Sequence, residues 1–250
     1  MRVLAKASIF GAIVLCGCST SNGASASQPS VGSSGSRAIP QSVADLPFVD
    51  DHGATTTLAS FKGKTVVLAD FLTLCQEVCP LTTANLLKVQ QAVARAGLSS
   101  DIELVEVTVD PERDTPARLA AYRNLIGAGA NWEFLTGSAA NVAALWKWFG
   151  IAYETTAEDS PAGTDWWTGK PLTFDVGHSD ALFFIDAHDT QRYVVVGSPN
   201  VASLSQIPAA LQSFLNDAGR DNVASPEAGT WTAADVDSVL AWITGRRIAQ

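Results

Sequence analysis

The chain is poor in charge, methionine and cysteine. Only 16% of its residues are Asp, Glu, Lys or Arg, against 47% hydrophobic, so a packed globule is expected rather than a disordered chain. Basic residues are in the minority, 16 against 25 acidic ones, and the formal net charge is −9. Loss of the positive charges Arg2 and Lys6 with an N-terminal segment takes it to −11. A body of that sign is repelled by phosphate backbones, which excludes nucleic acid as a partner. There are four cysteines, Cys16, Cys18, Cys75 and Cys79. No second pair accompanies Cys75 and Cys79, so neither a disulfide scaffold nor a four-ligand structural zinc site is available. No Cys-x-x-Cys, Gly-rich phosphate loop or Ser/His/Asp arrangement stands out.

What is present begins with a targeting segment. Arg2 and Lys6 precede the apolar run Ala7 to Leu15, which is too short to span a bilayer. The end, Leu15-Cys16-Gly17-Cys18, resembles a bacterial lipobox, with cleavage after Gly17 and lipidation of Cys18. On this reading residues 1–18 are a lipoprotein signal peptide. The protein is then exported and anchored by Cys18 to the outer face of the bacterial cytoplasmic membrane. A plain secretory signal cleaved near Ala24-Ser25-Ala26 is the alternative. Residues 19–44 are Ser/Gly-rich and are expected to form a flexible tether, with the domain spanning 45–218 and a helical extension over 219–250.

Within the domain, 64–71 and 102–109 read as buried strands, and 80–96, 116–126 and 139–149 as helices. Residues 132–135 form a short strand. The runs 181–186 and 192–196 form a β-hairpin, 205–216 a closing helix, and 233–245 a final helix after the cap-like Thr232. The acidic, Trp-marked stretch 153–175 reads as an inserted loop or hairpin, with Trp166 and Trp167 as its anchor. This order predicts an α/β class with a mixed sheet flanked by helices, as in a thioredoxin-like fold. Cys75 and Cys79 fall at the junction of the first core strand and the first core helix.

Their C-x3-C spacing puts both sulfurs on one side of a helical turn, and a helix N-terminus favours thiolate. Two thiolates form a soft clip suited to Cu(I), and less selectively to Zn(II), and the same pair can close into a disulfide. Of three histidines, His52 and His188 lie in polar turns. His178, directly before the apolar strand at 181, is the candidate third ligand.

Three blocks carry a resemblance: Cys75-Gln-Glu-Val-Cys79-Pro80, Val107-Thr-Val-Asp-Pro-Glu-Arg-Asp-Thr-Pro116, and Asp175-Val-Gly-His178 followed by Phe183-Phe-Ile-Asp186. In that order, across about 45–216, they resemble the Sco/SenC family of thioredoxin-like copper proteins. The resemblance implies that Cys75, Cys79 and His178 bind Cu(I) or Cu(II). It further implies copper delivery to the dinuclear copper site of a cytochrome c oxidase subunit, as a metallochaperone more than as an enzyme. Asp110 is implied as an ordering residue near the site. Thiol–disulfide reduction of that copper site's cysteines, with a thiol reductant as further partner, is the alternative, and a redox or copper sensor a third. Gln76, Glu77 and Gly177 stand where the family often has Pro, Asp and Asp.

Overall fold

The structure, a computed structural model, describes residues 27–227 and 229–248. The targeting segment, Cys16 and Cys18, and residues 19–26 of the expected tether lie outside these residues. Among the described residues no helix is long and apolar enough to cross a membrane.

Central strand β4 (Thr65–Phe71) is buried along its whole length. It lies parallel to β5 (Ile102–Thr108), which lies parallel to β6 (Trp132–Thr136). Strands covered on both faces read as unbroken apolar runs, which is why these segments lack a polar alternation. The connections are helices: α2 (Cys79–Arg95) and α3 (Pro116–Ile126), with α4 (Ala139–Phe149) after β6. Two of them have strong starts. The Thr115 side chain accepts from Arg118 N, with Pro116 beginning the first turn, and Ser138 accepts from Asn141 N. The sheet is completed by β2 (Phe48–Asp50) and β3 (Thr55–Thr56) on one side. On the other side stand β9 (Ala181–Ile185) and β10 (Thr190–Val196), both antiparallel to their neighbours. The mixed sheet flanked by helices agrees with the expected thioredoxin-like class. The 153–175 stretch is a hairpin whose arms, β7 (Tyr153–Thr156) and β8 (Asp175–His178), pair antiparallel.

Three boundaries differ from expectation. Within the expected tether, Ser33–Ala38 forms β1, antiparallel to β10, followed by the short α1 (Gln41–Ala44). Strand β1 is exposed along its length, so backbone pairing with the open edge of β10 orders it, and composition does not report such pairing. Gly32 (φ +71) fits because a Cβ there would lie 2.3 Å from the Val194 carbonyl.

The expected helix over 205–216 is broken. A single 3-10 turn at Leu204–Gln206 is followed by α5 (Ala209–Gln212) and then α6 (Asp217–Ala224). Pro208 forces Ile207 into an extended conformation (φ −96°, ψ 130°), and Asn216 caps α6 by accepting from Gly219 N at 2.8 Å.

The C-terminal segment packs into the core, so the domain does not end at 218. Trp231, Val236, Val239 and Leu240 are buried, and α7 (Ala233–Thr244) packs on α2. The Trp242 ring stands edge-on to Tyr193 at 5.6 Å.

Asp237 of α7 is buried with its Oδ1 unpartnered. Burial, eased by Arg95, pushes its carboxyl up to about 7. The native state therefore holds this proton where the unfolded chain has lost it, and stability falls as pH rises from about 4 to 7. Asp237→Asn is expected to raise the melting temperature at pH 8 by roughly 2–4 °C, about 1 kcal/mol after solvent screening, and to change little at pH 4. Paired thermal melts at the two pH values check it.

Candidate metal centre

Helix α2 starts without a side-chain cap, because Val78 precedes it. Its free N–H groups point at the preceding loop, and Cys79 N donates to Cys75 Sγ at 3.3 Å. Cys75 is partly exposed, Cys79 is buried, and both are free thiols. The loop carrying Cys75 is held by two contacts from outside. Thr73 donates through N (3.1 Å to Oδ2) and through Oγ1 to the buried carboxyl of Asp114, while Trp166 Nε1 donates to Thr73 O at 2.8 Å.

His178 ends β8, across the two-stranded ribbon from Tyr153. Its Nδ1 bonds Asp70 Oδ2 at 2.6 Å, and its Nε2 lies 3.6 Å from Cys79 Sγ. Asp70 is 4% exposed and also accepts from Ala181 N at 3.2 Å. A carboxylate on Nδ1 fixes the tautomer and ring plane, so Nε2 is the nitrogen turned to the sulfurs. The donor atoms of Cys75, Cys79 and His178 all lie within 4.8 Å of one another. Two sulfurs and one imidazole converging in this way suit a soft, low-coordinate cation and leave a tetrahedral zinc site one ligand short.

The electrostatics divide the two cysteines. A hydrogen bond from the Cys79 thiol, outweighing burial and joined by His178, holds the Cys75 thiol well below its ordinary range. Burial, followed by the adjacent Cys75 sulfur, pushes Cys79 well above it. Burial opposes protonation of His178, but the Asp70 bond and those of its neighbours carry the imidazole well above its usual value. The partly exposed sulfur is therefore the one favoured as thiolate, facing an imidazole whose protonated form the Asp70 carboxylate stabilises.

Of the residues singled out by sequence, the structure brings Cys75, Cys79 and His178 together. His52 and His188 are exposed and elsewhere. Asp110 does not reach the cysteines. It pairs with Arg113, whose Nη1 donates to Phe174 O at 2.7 Å, one residue before β8. In the same block it is Asp114 that grips the cysteine loop. Asp70 and Asp114 were not read from the sequence. The available signal for Asp70 was one acidic residue inside the apolar run of β4. Trp166 acts as the expected anchor, stacked on Phe214 at 5.4 Å, whereas Trp167 is 46% exposed.

Comparison with known proteins bears on this geometry. The SCO1/SenC family model matches residues 36–212, well over half of the chain. The SCO1 protein homolog of Bacillus subtilis is 35% identical over 97 residues, covering 38% of this chain and 49% of that one. The chain spans about half the length of the curated relatives it matches. Among solved structures, an SCO1/SenC family lipoprotein of Bacillus anthracis is 25% identical with a TM-score of 0.50, covering 70% of this chain and 90% of that one. Copper-bound ScoI of Arabidopsis thaliana, 21% identical, has a TM-score of 0.50 and covers 67% and 88%. The last likeness shows the shared fold.

Proposed function

The chain belongs to the SCO1/SenC family, and on that premise we propose that it is a copper metallochaperone. Cys75, Cys79 and His178 hold copper as cargo and pass it by ligand exchange to the dinuclear copper site of a cytochrome c oxidase subunit during assembly. The observation that carries the reading is the convergence of two sulfurs and the Nε2 of an Asp70-held imidazole within 4.8 Å. This donor set is soft and three-coordinate, which is what retention of Cu(I) with an open side for an incoming ligand requires. The Arabidopsis relative, whose structure holds bound copper, is consistent with it.

A second reading uses the same pair as a thiol–disulfide reductase. The Cys75 thiolate would attack a partner disulfide, and Cys79 would close on Cys75, leaving the partner as a dithiol and this chain oxidised. The unpaired thiols and the depressed Cys75 support it. A thiol reductant would then have to restore the pair. Anchoring through Cys18 at the outer face of the cytoplasmic membrane belongs to the proposal as well, supported by the lipobox and by the Bacillus anthracis relative, a lipoprotein.

The test is copper retention. The reduced protein is loaded with Cu(I), desalted and assayed for metal. About one copper per wild-type chain, held more weakly in both Cys75→Ala and His178→Ala, is expected. No retained copper, with a Cys75–Cys79 disulfide still forming reversibly, would leave the reductase.

A further inference from the structure

Two cavities meet at Cys75. One, of about 430 Å³, is a groove walled by Trp166, Phe214, Leu125 and Leu215. The other, of about 120 Å³, lies over His178 and carries the carboxyl groups of Glu77, Glu158, Asp159, Asp175 and Asp180. Leu74, Cys75 and Gln76 line both, so this short segment is the ridge between them. Among the described residues, no Lys or Arg lines either cavity. The ridge is clamped from two sides. A Cβ on Gly163 would lie 2.3 Å from the Gln76 amide, and one on Gly219 2.4 Å from the Gln76 carbonyl, which also accepts from Asn216 N at 3.1 Å. Gly163 and Gly219 thus allow the 157–174 loop and α6 to close on Gln76. Cys79 lines neither cavity, so an incoming ligand meets Cys75 first.

We propose that the groove and the acidic vestibule form one docking surface for a thiol-bearing segment of an acceptor protein. An apolar side chain of that segment seats against Trp166 and Phe214, and its Lys or Arg residues face the acidic side chains of the vestibule. The proposal rests on the delivery reading above and names the class of acceptor. Charge complementarity selects the occupant. An anionic small thiol is repelled by the vestibule, and a second copy of this acidic chain is repelled likewise. The vestibule holds only about four waters' worth of space, enough for a sulfur and a cation but not for a bulky side chain. The groove is within the usual size of a binding pocket, and Leu125 at its wall is 40% exposed.

Two measurements test this, one independent of copper. The reduced, metal-free protein is treated with a trimethylammonium-bearing or a sulfonate-bearing methanethiosulfonate. In each, the Cys75 thiolate attacks the sulfenyl sulfur, the reagent S–S bond breaks, and methanesulfinate leaves. Relative to free cysteine, the cationic reagent is expected to react at least about tenfold faster at low salt. The preference should collapse in the combined Glu77→Gln, Glu158→Gln, Asp159→Asn, Asp175→Asn variant and in high salt. A preference unchanged in that variant, or absent in the wild type, would overturn the proposal.

The second measurement follows Cu(I) transfer to a synthetic peptide carrying two cysteines, a leucine and two lysines. Glutamates in place of the lysines are expected to slow transfer at least tenfold. Leu125→Ser should slow it about threefold only when the leucine is present. Equal rates for the lysine and glutamate peptides would also overturn the proposal. Should the wild type retain no copper, the delivery reading fails, and the reagent preference still decides the surface.

Discussion

Asp70→Leu is expected to weaken copper binding by about 10- to 100-fold, with Asp70→Asn intermediate. The carboxylate sits on a strand buried along its whole length, so its position relative to the cysteine loop is fixed by the β4 backbone. Its hydrogen bond to His178 Nδ1 leaves Nε2 as the free donor 3.6 Å from Cys79 Sγ. Asparagine has one carbonyl oxygen for the two donors that the carboxylate serves, Ala181 N–H and His178 Nδ1–H, so it holds the tautomer and ring plane only in part. Leucine offers nothing, and the imidazole is free to rotate or to present the wrong nitrogen. Competition against a Cu(I) chelator measures the affinities. The Cu(II) absorption spectrum reports ligand orientation, which a purely structural loss elsewhere would not alter. Equal affinity and spectrum in wild type and Asp70→Leu would show that this contact does not position the ligand.

Glu106 governs the second large effect, on stability. It stands on β5 at 0% exposure, with Oε2 accepting from Trp132 Nε1 at 3.0 Å and Oε1 without a partner. Burial pushes its carboxyl up to about 8, against the pull of the Trp132 bond. The unfolded chain releases this proton at about pH 4.3, the free glutamate value. Between about pH 4 and 8 the native state therefore binds the extra proton, and stability falls as pH rises. Glu106→Gln keeps the acceptor for Trp132 and cannot ionise. It is expected to be more stable than wild type at pH 9 by on the order of 3 kcal/mol and nearly equal at pH 4. Urea unfolding at the two pH values measures the difference. A wild-type pH slope retained in the variant would show that Glu106 is not its source.

Much of the fold was legible because its local signals agreed. The apolar β-branched run of β4, the Thr115–Pro116 start of α3 and the Ser138 cap of α4 each state their element in a few adjacent residues. Strand β1 was illegible because nothing in its Ser/Gly-rich composition records the β10 edge it pairs with. The break at Ile207 could have been read from Pro208, since a residue before proline is driven from helical geometry. At the site, Cys75 and Cys79 were legible through spacing alone. His178 required knowing which strand follows it. Asp114 could not be distinguished from Asp110 within one acidic block, because only the folded loop decides which carboxyl faces Thr73. Asp70 is the omission with the largest consequence, since a single acid in a buried strand needs a partner, and His178 is that partner.

X-ray absorption at the copper edge of the Cu(I)-loaded protein reads the three ligands themselves. Two sulfur scatterers and one imidazole nitrogen are expected in the wild type, with the imidazole signal lost in His178→Ala and one sulfur lost in Cys75→Ala. A copper environment of oxygens, or one unchanged by either substitution, would contradict the three-ligand site.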